Sequence, residues 1–528
     1  MFNYFEDYGY DSCTSRGVCS ISPRMASIYG TITLYLQEFA KYYLKLNYFH
    51  IEDENIKNLI LNTLSAFVSN PEIPDNTFIK VICTYSKELE ELRHKYITAC
   101  EERAIFPDIL ESKLNPQKGC NLISSIRLGE KSFKEKNEKE PKFHAIHELL
   151  FFTAKSLAIK LIELNTFGKD SQNALICIME LLDALNITTL NDTDLKKLLQ
   201  NAAEEEYTLI KELNNLKENL YGIANNCEVN LSTSTGKAIM VDGTNINELA
   251  EILDATKNLN IDIYTHGEMI SAHAYPNIAK YPHLKGHYGH GSGNTILDFS
   301  TFPGAIFIGR HSIDNIDNLY KGRLFTNDIV VPKGVTKIEN SDYTSLIQSA
   351  IEAKGFKNGK KQTPILLELN KTNLLEIFNN INFENFNGIC LITHSNESYE
   401  NKNYFDKLIK LIPKDILIIN FSRSKFENAI NISSGYDLNL IFYTISIIKT
   451  IIDIKEKPII AFVPRCDKHI TNFVINLKQF GIKKIFIGKC PAKNLNPAVV
   501  KEFCKLFDIN EFNNVKDDYK TLIDTLSI

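Results

Sequence analysis

Apolar positions recur every three or four residues through Ile28–Leu46, Ile56–Val68, Phe78–Ala104, Phe143–Leu164, Ser171–Leu185 and Asp194–Leu220. That spacing lines one face of a helix with apolar side chains, and predicts amphipathic helices packed on one another. Asn191 and Asp192 stand before the last of them as N-caps. From Phe106 to Lys142 the pattern is broken by Pro107, Pro116, Gly119 and Pro141. This stretch reads as a connection between helical groups.

Near Asn225 the period changes. Ala238–Val241, Ile261–Tyr264 and Ala305–Ile308 are short apolar runs, and Ile365–Leu367, Gly388–Thr393, Ile416–Phe421, Pro458–Val463 and Lys484–Ile487 form a second series. Amphipathic segments such as Asn245–Lys257 and Thr471–Phe480 lie between them. Alternation of strand and helix predicts parallel sheets covered by helices. The expected architecture is therefore multidomain α and α/β. An N-terminal helical bundle (1–225) is followed by two Rossmann-like parallel-sheet domains (226–360 and 361–528). Open sheets of this kind take ligands at the carboxyl ends of their strands. Here those ends read His266-Gly267-Glu268, Gly309-Arg310-His311-Ser312, His394-Ser395, Ser422-Arg423 and Pro464-Arg465-Cys466-Asp467, all with polar or ionisable groups.

Composition narrows the classes. The chain has 528 residues, 44% hydrophobic and 23% charged, with a net charge of −5. This is globular composition without the basic footprint of a nucleic-acid binder. The run Lys131–Lys142 alternates lysine with glutamate and reads as a solvated loop. The most apolar stretch, Ile441–Ile454, is interrupted by Lys449 and Asp453, so no membrane span is expected. The N-terminal residues lack the basic and apolar regions of a secretory signal. Eleven dispersed cysteines do not read as a disulfide framework. A cytoplasmic location is expected. Most of the cysteines (Cys83, Cys100, Cys120, Cys177, Cys227, Cys390, Cys490 and Cys504) show no ligand spacing and are expected to pack in cores.

Three segments go beyond generic α/β: Tyr264-Thr265-His266-Gly267-Glu268-Met269 with Ala272-His273-Ala274-Tyr275-Pro276; His283-Leu284-Lys285-Gly286-His287-Tyr288-Gly289; and Phe302-Pro303-Gly304-Ala305-Ile306. In this order and spacing they resemble the central region of hybrid-cluster (hydroxylamine reductase) proteins. Arg323-Leu324-Phe325-Thr326 fits too, and Cys13 and Cys19 resemble the family's second N-terminal cysteine pair. The resemblance spans essentially the whole chain. It implies reduction of hydroxylamine, with a link to nitric oxide reduction. It also implies an iron–sulfur–oxygen cluster fed by an N-terminal cubane.

The ligand positions that the resemblance implies are largely altered. Cubanes commonly take four thiolates, but the first N-terminal pair falls on Asn3 and Glu6, leaving Cys13 and Cys19. At the hybrid cluster the histidine position falls on Thr244, and the first glutamate position on Glu268. The cysteine positions fall on Ser312, Ser395, the neighbourhood of Arg423, and the neighbourhood of Asp437. The second glutamate falls on Asp467 and a nearby lysine on His469. Serine and arginine do not replace a soft thiolate.

Three outcomes are open at this point. The chain is a cluster-free homologue with a binding role; or Glu268, Asp437, Asp467 and His469, with His311 or His394, hold a non-haem metal ion; or family iron–sulfur chemistry survives through an unrecognised centre. An intact hybrid cluster is not expected. A small-molecule ligand or a redox protein is the expected partner, with no nucleic acid and no membrane. Under the cluster-free outcome His266 and His273 are structural. Cys466, beside Asp467 and His469, could be an activated thiol or a small residue at a strand end. His283, His287 and His290 read as loop geometry among glycines rather than a metal or phosphate site.

Overall fold

The computed structural model describes residues 22–68, 73–108, 112, 114, 121–137, 141–187, 191–289, 295–313, 316–394, 399–490, 495 and 497–526. The chain forms two compact units. The first comprises Met1–Leu209, Asp467–Asn476 and Cys490–Phe507; the second comprises Ile210–Cys466, Leu477–Lys489 and Asp508–Ile528.

The first unit is helical. Pro23–Tyr48, Glu54–Ala66, Asp75–Glu101, Pro141–Asn165 and Gln172–Ala184 follow the apolar periodicity closely, and Asp192–Tyr221 begins in this unit. Their starts are chemically specified. Ser22, Asp53 and Ser171 each accept a backbone N–H of the first turn, satisfying donors that the helix itself cannot. The expected connection from Phe106 to Lys142 contains a further helix, Leu122–Asn137. The prolines that obscured it lie outside its bounds. It packs on Pro23–Tyr48, where the Thr31 hydroxyl donates to the Ser125 carbonyl at 2.6 Å.

The second unit carries the strands: β1 (Cys227–Val229), β2 (Lys237–Asp242), β3 (Ile261–His266), β4 (Leu284–His287), β5 (Ala305–Ile308), β6 (Leu324–Thr326), β7 (Thr336–Lys337), β8 (Ile365–Leu367), β9 (Gly388–Ile392), β10 (Ile416–Asn420), β11 (Ala429–Asn431), β12 (Ile459–Val463), β13 (Lys484–Ile487) and β14 (Asn510–Glu511). Two six-stranded sheets result, in the orders β4-β3-β2-β5-β6-β7 and β11-β10-β9-β12-β13-β14. All their pairings are parallel. Numbered within each sheet, both follow the doubly wound order 3-2-1-4-5-6, whose strand order reverses at β2/β5 and at β9/β12. β8 departs from expectation. It pairs antiparallel with β1 in a separate ribbon.

Parallel strands buried on both faces read as unbroken apolar runs, and β9, β10 and β12 are buried along their whole length. Phe462 stacks on Phe486 at 4.6 Å in this core. The apolar segment from Ile441 belongs to a core helix, Leu438–Ile451. No helix among the described residues is long and apolar enough to cross a membrane.

The Phe302-Pro303-Gly304 segment has a packing explanation. A Cβ at Gly304 would lie 2.0 Å from the Ala238 carbonyl oxygen on the neighbouring strand. The Arg323 guanidinium donates to the carbonyls of Phe302, Gly304 and Phe299, which ties the Arg323-Leu324-Phe325-Thr326 segment to the same loop. We expect Gly304→Ala to destabilise the fold by about 2 kcal/mol or more in urea denaturation, because backbone must move to admit the methyl. Gly322→Ala, with open space around it, should stay within about 0.5 kcal/mol of the parent.

Candidate strand-end site

β3 delivers Glu268 to the carboxyl end of the first sheet through a buried charge network. His266 is fully buried, with Nδ1 3.4 Å from Asp242 and Nε2 3.2 Å from Asp298. Burial alone would depress its imidazole, but hydrogen bonding and the charges of both aspartates raise it to about 9. Its ring stacks on His287 at 6.2 Å. The Thr265 hydroxyl bridges His273 Nε2 at 2.8 Å and His287 Nδ1 at 3.0 Å. Burial pushes His273 down to about 4, keeping it neutral. Gly267 adopts φ +58°, and a Cβ there would sit 2.7 Å from Asp242 Oδ1. A glycine is therefore required between the buried His266 and the half-buried Glu268. His266 and His273 are integral to the strand-end scaffold.

Glu268 meets the end of β12. The Arg465 guanidinium, 15% exposed, hydrogen-bonds the Glu268 carboxylate, 33% exposed, in a salt bridge. Arg465 also lies over the Tyr436 ring, 4.9 Å from its centroid, within cation–π range. Tyr436 has φ +78°. Left-handed backbone is strained for a bulky residue, costing about 1–3 kcal/mol, and is held only where surroundings over-determine it. The Tyr436 ring in turn faces His394 at 5.7 Å, whose Nε2 lies 2.7 Å from the Ser434 hydroxyl. Burial first, then the charge of Arg465, pushes His394 down to about 3. The imidazole is neutral.

Other candidate residues have separate roles. Asp437 caps helix Leu438–Ile451, accepting the Leu440 N–H at 3.2 Å, and burial raises its carboxyl. Asp467 Oδ1 accepts the His469 N–H at 2.8 Å. His469 Nδ1 lies 2.9 Å from Glu206 Oε1 and 2.9 Å from the Ser156 hydroxyl. Ser156 and Asn472 both donate to Glu206 Oε2. Burial would raise Glu206, but His469, Asn472 and Ser156 hold it below its ordinary value. Asp467 and His469 belong to the first unit, Glu268 and Asp437 to the second. Among the described residues, no three His, Cys, Asp or Glu side chains are grouped to hold a metal ion.

Thr244, Ser312 and Arg423 lie in half-buried loop positions after β2, β5 and β10. His311 follows β5 with φ +66°, and its N–H donates to Asp328 at 3.1 Å. Cys13, Cys19, Ser395, Cys120 and His290 lie outside the described residues. His283 is buried, with Nε2 3.1 Å from the Thr256 hydroxyl and 3.2 Å from the Leu253 carbonyl, and His287 ends β4 rather than lying in a loop. The reading of Cys466 as an activated thiol is corrected: it is buried and disulfide-bonded. Cys490 is likewise disulfide-bonded, against the expectation that it simply packs in a core. Cys100 and Cys390 are buried thiols, while Cys83, Cys177, Cys227 and Cys504 are only half-buried.

Residues that sequence reasoning overlooked include Tyr436, Ser434, Glu206 and Glu248. Glu206 was legible in principle. It falls on the same helical face as the buried Ala202, Ala203, Leu209 and Leu213, where a lone carboxylate demands partners. Glu248 sits in the first turn of helix Ile246–Thr256, at the β2/β5 switch point. Oε1 accepts from Asn327 Nδ2 at 2.7 Å. Oε2, with no hydrogen-bond partner among the described residues, fills the space a side chain at Gly309 would need.

The donor set around Glu268 does not match an iron–sulfur cluster. Such clusters select thiolates, whereas the described groups at this site are a guanidinium, a phenol, a neutral imidazole, a hydroxyl and a single carboxylate.

The sequence profile of the Prismane/CO dehydrogenase family matches residues 10–429. A protein named hydroxylamine reductase from Thermodesulfovibrio yellowstonii is 23% identical over 536 residues, covering 97% of this chain and 98% of its own length. One of the same name from Acidithiobacillus ferrooxidans is 25% identical, covering 94% of this chain and 93% of its own. A solved structure, "NiZn[Fe4S4] and NiNi[Fe4S4] clusters in closed and open alpha subunits of acetyl-CoA synthase/carbon monoxide dehydrogenase", superposes with TM-score 0.48 at 10% identity, over 97% of this chain and 84% of that one.

Glu248 gives the strand-end region a pH signature. Burial pushes its carboxyl up to about 7, against the opposing pull of Asn327 and Arg310. The fold therefore prefers the protonated form. That contribution is complete below the unfolded value near 4.5 and is lost as pH rises through about 7. We expect the unfolding free energy of the parent to fall by up to about 3 kcal/mol across this window relative to Glu248→Gln. Urea denaturation of both proteins at pH 5 and pH 8 checks it, and parallel profiles would refute it.

Proposed function

This chain belongs to the Prismane/CO dehydrogenase family, and we propose that within it the protein is a hybrid-cluster-protein homologue working without the hybrid cluster. Its role in this reading is binding or regulation rather than hydroxylamine reduction. The observation that carries the reading is the salt bridge between Arg465 and Glu268. Glu268 is the one hybrid-cluster position where the family resemblance leaves a ligand residue intact, and a guanidinium already compensates its charge. The hydroxyl groups of Thr244 and Ser312 and the guanidinium of Arg423 stand at other implied ligand positions. They offer no thiolate.

A second reading keeps the chemistry. Proteins named hydroxylamine reductase align along almost the full chain. In this reading the chain reduces hydroxylamine or nitric oxide, at a replaced carboxylate and histidine metal site or at an iron–sulfur centre that enlists Cys13 and Cys19.

Iron and acid-labile sulfide, measured with a visible spectrum on protein purified without oxygen, separate the two. The first reading expects a colourless protein with neither element in stoichiometric amount and no hydroxylamine turnover. Iron together with sulfide would overturn it. Iron without sulfide would favour a carboxylate–imidazole site.

A further inference from the structure

Two segments pair at the end of the first sheet opposite Glu268, before β2 and β5 begin. Residues 227–236 and 356–367 run antiparallel, from the β1–β8 ribbon at one end to a bridge between Gly236 and Phe356 at the other. Between them the Thr233 N–H donates to the Lys360 carbonyl at 2.9 Å, and the Gln362 N–H donates to the Ser232 hydroxyl at 3.0 Å. Phe356 anchors the loop, its ring 5.6 Å from Tyr264 and 5.5 Å from Phe302. Gly355 turns at φ +70° against the Gly236 carbonyl, where a side chain would not fit. The Lys237 ammonium donates to the Ala353 carbonyl.

This rigid loop carries Lys354, Lys357, Lys360 and Lys361, all exposed, in a chain of net charge −5. No acidic residue lies between Glu352 and Glu368, and none between Glu228 and Asp242 on the paired segment. Glu352 accepts from the Gln348 amide of its own helix at 2.6 Å. Elsewhere in the unit Lys285, Lys337, Lys371 and Lys457 pair with Asp262, Glu339, Glu218 and Glu384. The four loop lysines form no such pair among the described residues. Phe356 and Lys360 stand across from Gly236 and Thr233, which three extended residues place about 10 Å apart. That is close to the screening length of about 8 Å at physiological ionic strength, so the four charges act as one field.

We propose that loop 354–361 is a preformed docking patch for an acidic surface of a partner protein. A solvated lysine run would need ordering before it could dock; here the backbone is ordered in the free protein. Unpaired charge on a fixed frame steers an oppositely charged surface into register and speeds encounter. A finite acidic patch matches this short strip. Duplex DNA or an anionic membrane extends past it and meets a chain that is acidic overall. The proposal stands whichever reading of the Glu268 site holds.

The test is binding of a fluorescent octaglutamate peptide to the full-length chain, read by anisotropy at about 20 mM and about 150 mM salt. The parent should bind, more tightly at the lower salt. Lys354→Gln, Lys357→Gln, Lys360→Gln and Lys361→Gln together should weaken binding at least about tenfold, whereas arginine at the same four positions should preserve it. Lys402→Gln, Lys407→Gln, Lys410→Gln and Lys414→Gln together are the control. Those lysines are equally exposed but interspersed with Asp406 and Asp415, and their loss should leave binding at the parent level. Equal weakening in both glutamine variants would reduce the effect to net charge and overturn the patch. Undiminished binding in the loop variant would overturn it too. Tighter binding of a duplex DNA oligomer or of phosphatidylglycerol vesicles at the higher salt would overturn the protein partner.

Discussion

A carboxylate fixed at the mouth of a parallel sheet needs a positive charge beside it, and the chemistry of this site follows from which cation meets Glu268. The backbone that carries the carboxylate is fixed. Behind it His266 is wedged between Asp242 and Asp298, and Gly267 has no room for a side chain. Here the Arg465 guanidinium meets that need. Because both partners keep some solvent access, the pair contributes modestly on its own.

The two switch points solve the same problem differently. At β9/β12 the acidic group from the other sheet finds Arg465. At β2/β5 Glu248 is more deeply buried, yet its partners are the Asn327 amide and Arg310. The first carboxylate sits in an ion pair; the second is pushed toward its neutral form. Polar residues at every strand end were predictable from topology, because backbone that leaves a sheet must find partners outside the ladder. Which charge pairs with which is decided by the folded arrangement of both sheets.

That distinction marks how far sequence alone reaches. Helical periodicity located the helices of the first unit, and apolar runs located β2, β3, β5, β9, β10, β12 and β13. The helix Leu122–Asn137 escaped because prolines on either side dominate the local signal; β8 was located as a strand but not its pairing with β1, because an apolar triplet carries no mark of its partner. Strand ends were legible as a place; Arg465 was visible there only as one polar residue among several. Its bond to Glu268 and its seat on Tyr436 depend on contacts between segments far apart in sequence. The strained backbone at Tyr436 has no signature except the preceding Ser433-Ser434-Gly435 turn. Glu206 shows the intermediate case. Helical period alone assigns it to a buried face, while its partners His469 and Asn472 come from a distant segment.

The segments that carry the family resemblance are mostly the ones that hold the first sheet together. Tyr264 packs its ring against Phe302 and Phe356, Thr265 fixes two histidines, and Arg323 gathers three carbonyls of the Phe302-Pro303-Gly304 loop. None of these jobs requires a metal, and each would persist if the cluster were lost. Within the Thr265-His266-Gly267-Glu268 segment only Glu268 reaches the site, and it is the residue that Arg465 has engaged. Similarity in these segments therefore speaks strongly for the fold and weakly for the reaction, since activity resides in the site and not in the scaffold. A chain can keep every packing constraint that makes it a recognisable Prismane/CO dehydrogenase family member while the polar groups at its strand ends differ.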